Sequence, residues 1–208
     1  MKDRPGSDID FEPGFFEDAE ILAAHRGRRV DPNIVKEGFG RIRDEFPLLA
    51  NSTMTVSIHR AMGRKEEGIT VHAIGEGLKQ VTLRMQPMRL FDHALLQTFV
   101  AHYFMKASDM VDPCFGHPIT TGAAVPDPDG QLEGRLQELW DSSIAERLGY
   151  QACSYTADKA SLVFFSLDRA ESGTYRDARV TYQDLVSRAR YQADLRVWQA
   201  FDDRGASR

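Results

Sequence analysis

The residues best suited to chemistry in this sequence are concentrated between Asp92 and Gly130. Its residues 93–117 include three of the six histidines, one of the two cysteines and two carboxylates: His93, His102, Asp109, Asp112, Cys114 and His117. Imidazole, thiolate and carboxylate groups can act together as general base, nucleophile or metal ligands. The stretch is therefore the first place to look for a functional site.

The spacing of the histidines limits what this stretch can do. His93 and His102 are nine residues apart on one predicted helix, so at about 100° per residue they lie on opposite faces and cannot share a metal ion. His102 and Asp109 are seven residues apart and share a face, with Cα atoms about 10 Å apart. They can line one pocket, but they do not touch directly.

Zinc is the one cofactor that the sequence suggests. Cys114 and His117 form a Cys-x-x-His step in a turn, a spacing that can provide half of a zinc site. The sequence has no second step of this kind. The remaining ligands would have to come from residues brought close by folding: His102, Asp109, Asp112 or Cys153.

The same residues suggest an enzyme as an alternative. Cys114 could be a thiol nucleophile, with His102 or His117 as its base and an aspartate, Asp109 or Asp112, to orient the imidazole. A nucleophilic thiolate needs a lowered pKa, which a helix N-terminus can provide. Cys114 instead follows the C-terminus of a predicted helix, where the helix dipole disfavours a negative charge. This position argues against the thiol mechanism.

Aromatic residues offer a binding interpretation of the same region. Phe99 and Tyr103, together with His102 and Phe115, could contact an apolar ligand, although aromatic residues at helical spacing are also typical of a hydrophobic core. The loop predicted at residues 109–130 is too long for a simple connector, and such loops are usually functional or disordered.

The overall composition sets limits on the class of protein. The chain has 208 residues, of which 42% are hydrophobic and 27% charged, as in ordinary globular proteins. We expect a flexible N-terminal arm at residues 1–14 and a single domain at residues 15–208. The net charge of −5 gives no basic footprint for nucleic acid. The sequence shows neither a membrane-spanning apolar run nor a secretory signal, so we expect a cytoplasmic protein.

The periodicity of apolar residues predicts an α+β fold. Helices are predicted at residues 15–26, 32–46, 90–108, 131–148 and 181–201. Strands are predicted at residues 53–59, 69–73, 81–85, 151–155 and 161–167. The first three strands should form an antiparallel meander, with a turn at Gly75–Gly77. We expect an antiparallel sheet, made of this meander and the two later strands, with helices mainly on one face.

The polar sides of the meander strands suggest a second place for a site. His59 and His72 alternate with apolar residues and lie on the same side as three other polar residues: Thr70, Thr82 and Arg84. Such a face is usually only solvated. It could also form a groove, because these side chains offer hydrogen-bond donors to a carboxylate or phosphate group.

These observations favour a ligand-binding or protein-interaction domain, such as an adaptor, sensor or chaperone-like protein, with a functional loop at residues 109–130. The order of its elements is similar to that of small α+β chaperones that bind secretion effectors and of profilin-like ligand-sensing domains. The partner would be a small molecule, another protein or a second copy of the chain. The alternative is an enzyme with a thiol nucleophile or a metal ion near residues 102–117.

Overall fold

The computed structural model describes residues 8–24, 29–73, 79–91, 93–121, 132–148 and 180–191. The chain divides into two compact units, Met1–Pro113 and Cys114–Arg208, and each is described on its own. The predicted single domain at residues 15–208 stays a prediction. Among the described residues, none of the helices has both the length and the apolar character needed to cross a membrane.

The first unit contains four strands and four α-helices in its described part. In chain order they are β1 (Asp8–Phe11), α1 (Phe15–Ala24), α2 (Pro32–Asp44), α3 (Pro47–Ser52), β2 (Thr53–Arg60), β3 (Gly68–Ala73), β4 (Lys79–Met85) and α4 (His93–Val111). Two 3-10 turns, Arg64–Glu66 and Pro87–Phe91, lie before β3 and after β4. The chain is therefore α+β.

The predicted antiparallel meander is wrong, because the sheet is mixed. Its strand order is β1-β2-β4-β3. Strand β2 is parallel to both β1 and β4, and only β3 and β4 form an antiparallel pair. The antiparallel pairing of β3 with β4 was predicted correctly, but β4 lies between β2 and β3 instead of outside them. The predicted turn at Gly75–Gly77 lies outside the described residues. The similarity to the chaperones and to profilin-like domains, which was based on the order of the predicted elements, stays a prediction.

The physical reason for this error is that the alternation of apolar and polar residues along a strand fixes which face of the sheet each side chain occupies. It does not fix which strand lies next to which. Residues 61–67 connect β2 to β3 without a tight turn, so β3 can lie one strand further away. Strand β4 fills the gap, and its Val81, Leu83 and Met85 are fully buried, as expected for a central strand. Residues 8–11, which we assigned to a flexible arm, form the edge strand β1.

An aromatic cluster connects the sheet to the helices of the first unit. The ring of Phe11 on β1 lies 5.2 Å from that of Phe15 on α1 and 5.5 Å from that of Phe39 on α2. The ring of Phe39 lies 6.4 Å from that of Phe104 on α4. These rings cover the apolar face of the sheet, to which the fully buried Ile58 of β2 also belongs. The opposite face of the sheet is the polar one.

A local signal marks the start of α2, whereas α4 ends later than predicted. Helix α2 begins with Pro32, and the side chain of Asp31 accepts a hydrogen bond from the backbone N–H of Asn33 at 2.9 Å. This is the expected role of an N-cap residue. The predicted helix at residues 90–108 corresponds to α4, which extends to Val111. The first three residues of the predicted loop at 109–130 are therefore helical.

The second unit contains three helical segments in its described part: α5 (Pro118–Thr121), α6 (Leu132–Arg147) and a helix at residues 182–191. The last of these begins with the predicted capping box. The N–H of Asp184 donates to Thr181 Oγ1 at 3.2 Å, and the N–H of Thr181 donates to the Asp184 carboxylate at 2.9 Å. The strands predicted at 151–155 and 161–167 lie outside the described residues.

Candidate functional site

One face of the sheet in the first unit carries a group of accessible polar side chains. Its members are exposed or half-buried and alternate with buried residues along each strand: Asp10, Thr55, Ser57, His59, Thr70, His72, Gln80, Thr82 and Arg84. We call this set the polar sheet face. Its alternation was predicted from the sequence for β2, β3 and β4.

The register of the strands arranges the polar sheet face in rows. Ser57, Thr82 and Thr70 form one row across three strands. His59 and Arg84 begin the next row, which ends at Gly68 on β3. Neighbouring strands are about 4.8 Å apart, so side chains of one row lie within reach of a single small ligand.

The imidazole of His59 is oriented by a carboxylate. Its Nδ1 lies 3.2 Å from Glu12 Oε2. Glu12 is itself held in place, because its Oε1 accepts a hydrogen bond from the backbone N–H of Arg60 at 2.8 Å. The side chain of His59 is 42% exposed, so the rest of its ring can be reached by solvent or by a ligand.

The Arg84 side chain is the strongest unengaged donor on the polar sheet face. It is exposed, and it makes no hydrogen bond or ion pair with the other residues that the structure describes. Opposite it on β3 is Gly68, where an added Cβ would meet no atom within 4 Å. A guanidinium with open space beside it can bind a carboxylate or phosphate in a bidentate manner.

His102 and Asp109, the helix residues predicted to join a site, are buried in the structure. They are 6% and 7% exposed and lie on one face of α4, as their spacing predicts. Lys106, which lies between them on the same face, is only 3% exposed. Lysine is rarely buried without a partner, and all three residues take part in further interactions. This face suits an internal polar network better than a site open to solutes.

The predicted aromatic ligand contacts on α4 belong mainly to the core. Phe99 is 1% exposed. The guanidinium of Arg89 lies 4.7 Å from the centre of its ring, and the ring of Tyr103 approaches it edge-on at 4.7 Å. With so little of its surface exposed, Phe99 is enclosed by protein. Contact of Phe99 or Tyr103 with a ligand stays a prediction.

Three of the remaining predicted site residues, Asp112, Cys114 and His117, come after α4 in the sequence. Asp112 follows the last residue of α4, and its N–H donates to the carbonyl of Ser108 at 3.0 Å. Cys114 is exposed and lies in the second unit. Convergence of His102, Asp109 and Asp112 with Cys114 and His117 in one enzyme site stays a prediction.

His117 is placed in a way that does not favour a zinc ion. Its Nδ1 accepts a hydrogen bond from the backbone N–H of Ile119 at 3.2 Å, so the neutral ring carries its hydrogen on Nε2. A zinc-bound histidine usually donates its second N–H to an acceptor, which this arrangement prevents. Within the described residues, no three His, Cys, Asp or Glu side chains are placed to hold a metal ion.

Phe115 and His117 belong to an aromatic cluster of the second unit. The ring of Phe115 stacks on Trp140 at 5.1 Å, and that of His117 lies 5.4 Å from Trp140 and 5.0 Å from Tyr182. The backbone N–H of Tyr182 donates to the carbonyl of Phe115 at 2.7 Å. Phe115 is only 5% exposed, so it acts first as a core residue.

We expect the hydroxyl of Tyr182 to titrate above its usual range. Burial raises its pKa above 10.0, and the carboxylate of Glu133 raises it further. Because folding favours the neutral phenol, this contribution to stability is present below pH 10.0 and is lost as the pH rises through the raised pKa. In an ultraviolet or NMR titration, Glu133→Gln should lower the pKa of Tyr182 without returning it to 10.0, since burial is the larger cause. A pKa at or below 10.0 in the wild-type protein would contradict this.

Sequence reasoning missed two ionisable residues that the structure makes important. Glu12 was assigned to the N-terminal arm, and its contact with His59 depends on the long-range pairing of β1 with β2. Lys106 could have been found, because it lies three or four residues from both His102 and Asp109 and must share their helix face.

Comparison of the chain with protein-family models, curated proteins and solved structures finds no match.

Proposed function

We propose that this protein is a ligand-binding domain whose polar sheet face binds a small anion through a carboxylate or phosphate group. The observation that supports the proposal best is Arg84, an exposed guanidinium that makes no ion pair within the described part of the chain. Arginine is the side chain best suited to recognise such groups, because its N–H donors match two anion oxygens at once.

The neighbours of Arg84 support the same ligand class. Thr82 is on the same strand, two residues away and on the same face, and Thr70 is opposite Thr82 on β3. Their hydroxyls can donate to further anion oxygens. Like Arg84, both threonines make no side-chain hydrogen bond with the described residues.

The protein-interaction alternative, including a homodimer, has weaker support. Within the described residues, the most exposed large hydrophobic side chains lie on separate elements: Ile21 on α1, Ile34 on α2, Met62 after β2 and Tyr191 at the end of the helix at residues 182–191. Single exposed apolar residues are normal on a protein surface and do not define an interface. We also propose a cytoplasmic location, because two cysteines in 208 residues are too few for the disulfide framework of a small secreted protein.

The test is isothermal titration calorimetry with inorganic phosphate and with succinate as probes. We expect the wild-type protein to bind at least one of them, and Arg84→Gln to weaken that binding at least about tenfold through loss of a charged hydrogen-bond pair. Arg190→Gln, which removes the same charge from an exposed position in the second unit, should leave binding unchanged.

A second pair of variants tests the site without changing Arg84. Gly68→Glu would place a carboxylate opposite Arg84 and compete with the anion, whereas Gly68→Gln adds a side chain of the same size without charge. The open space and ordinary backbone at Gly68 should allow both. The charged variant should weaken binding, and the neutral one should weaken it much less. If neither probe binds the wild-type protein, or if Arg84→Gln binds as well as it does, the proposal fails.

A further inference from the structure

We infer that the anion bound at Arg84 carries a hydroxyl group next to its anionic group, and that Nε2 of His59 accepts the hydrogen bond from this hydroxyl. The inference rests on the proposed function, because it needs an anion at Arg84. It adds the chemical class of the ligand: a hydroxy acid, or a phosphate ester with a neighbouring hydroxyl.

The first step is the orientation of the His59 ring. Its Nδ1 lies 3.2 Å from Oε2 of Glu12. A carboxylate can only accept, so Nδ1 carries the hydrogen and the neutral ring has its lone pair on Nε2. Glu12 is the one hydrogen-bonding or ionic partner of the His59 side chain among the described residues, so Nε2 is open.

The second step is that Glu12 fixes this orientation of the His59 ring, because Glu12 is itself held in place. Its carboxylate is anchored by the backbone N–H of Arg60 at 2.8 Å, and its side chain is only 22% exposed. The side chain of Arg60 adds further contacts, with Nε 3.6 Å from Glu12 and an ion pair to Asp18. A fixed carboxylate on one ring nitrogen holds the ring in place and makes the other nitrogen a better acceptor.

The third step is the position of His59 relative to Arg84. The two residues are direct partners in the parallel pair of β2 and β4, so their side chains leave the same face about 4.8 Å apart. A ligand whose anionic group binds Arg84 therefore brings its next one or two atoms towards His59. A hydroxyl there can donate to Nε2, whereas an ammonium group would be repelled by the guanidinium.

The experiment uses pairs of probes that differ by one hydroxyl. Malate is compared with succinate, and 2-hydroxypropyl phosphate with propyl phosphate, so that the two pairs distinguish a carboxylate from a phosphate ligand. By calorimetry the wild-type protein should bind the hydroxylated member of at least one pair about five- to tenfold more tightly, as expected for one additional hydrogen bond.

Variants of His59 test whether its Nε2 causes the difference in affinity between the two probes of a pair. His59→Phe keeps a planar ring without an acceptor. In this variant the ratio of the affinities for the hydroxylated and the unhydroxylated probe of a pair should fall to about 1. His59→Gln places an amide oxygen near the position of Nε2 and should keep most of the ratio. If the phenylalanine variant does not fold, His59→Asn, whose amide oxygen lies near the position of Nδ1, should lose the ratio in the same way.

The outcomes separate the two proposals. Equal affinity within both pairs, combined with binding that Arg84→Gln abolishes, would overturn the inference and leave the anion site standing. A ratio that persists in His59→Phe would also overturn it. If neither inorganic phosphate nor any of the four probes binds the wild-type protein, the proposed function itself fails.

Discussion

Replacing Glu67 by alanine is expected to destabilise the protein by about 3 kcal/mol, because it breaks a largely buried ion pair. The Glu67 side chain is 4% exposed, and its two oxygens accept from both Nε and a terminal nitrogen of Arg89. Oε1 also accepts from the backbone N–H of Gln86 at 3.2 Å. The substitution removes all three bonds and leaves the guanidinium, itself mostly buried, without this carboxylate.

Urea unfolding followed by circular dichroism measures this loss. The matched control is Glu37→Ala, which removes an exposed pair with Arg41 on α2 and should cost less than about 0.5 kcal/mol. The double variant Glu67→Leu with Arg89→Met should recover part of the stability, because no buried charge is then left over. A loss below about 1 kcal/mol in Glu67→Ala would contradict the structural role of the pair.

Replacing Trp140 by alanine is the second change expected to have a large effect, at about 4 kcal/mol. The indole is 3% exposed. It lies at the centre of the aromatic cluster of the second unit, with the rings of Phe115 and Tyr182 at 5.1 and 6.1 Å. Its removal loses the transfer free energy of a large side chain and leaves a cavity among rings that cannot easily close it.

The same unfolding experiment tests this prediction. Trp140→Phe should cost clearly less than Trp140→Ala, because a smaller ring still fills most of the space. Tyr191→Ala removes an aromatic side chain that is 64% exposed and should change the stability by no more than about 0.5 kcal/mol. Equal stabilities for the alanine variants of Trp140 and Tyr191 would show that the cluster does not support the fold.

Features fixed by neighbouring residues could be predicted from the sequence. The N-cap at Asp31 and the capping box of Thr181 and Asp184 depend on side chains that reach only two or three residues along the chain. The shared helix face of His102 and Asp109 follows in the same way from helix geometry.

Features that depend on distant residues could not be predicted in this way. The position of β4 between β2 and β3, and the pairing of β1 with β2, are set by which edges fit together in space. The candidate site likewise has one part that could be predicted from the sequence and one that could not. Alternation placed His59 and Arg84 on one face, but the contact between His59 and Glu12 joins residues 47 positions apart.

The strand order also has a consequence for synthesis of the chain on the ribosome. Strand β4, which lies between β2 and β3, is the last of the four strands to be translated. Until Lys79–Met85 leaves the exit tunnel, the edges of β2 and β3 that will bind it have no partner, and unpaired edges attract other strands. A nascent chain that stalls shortly before Lys79 would therefore expose both edges at once, and it is at this stage that we expect the protein to depend most on chaperones.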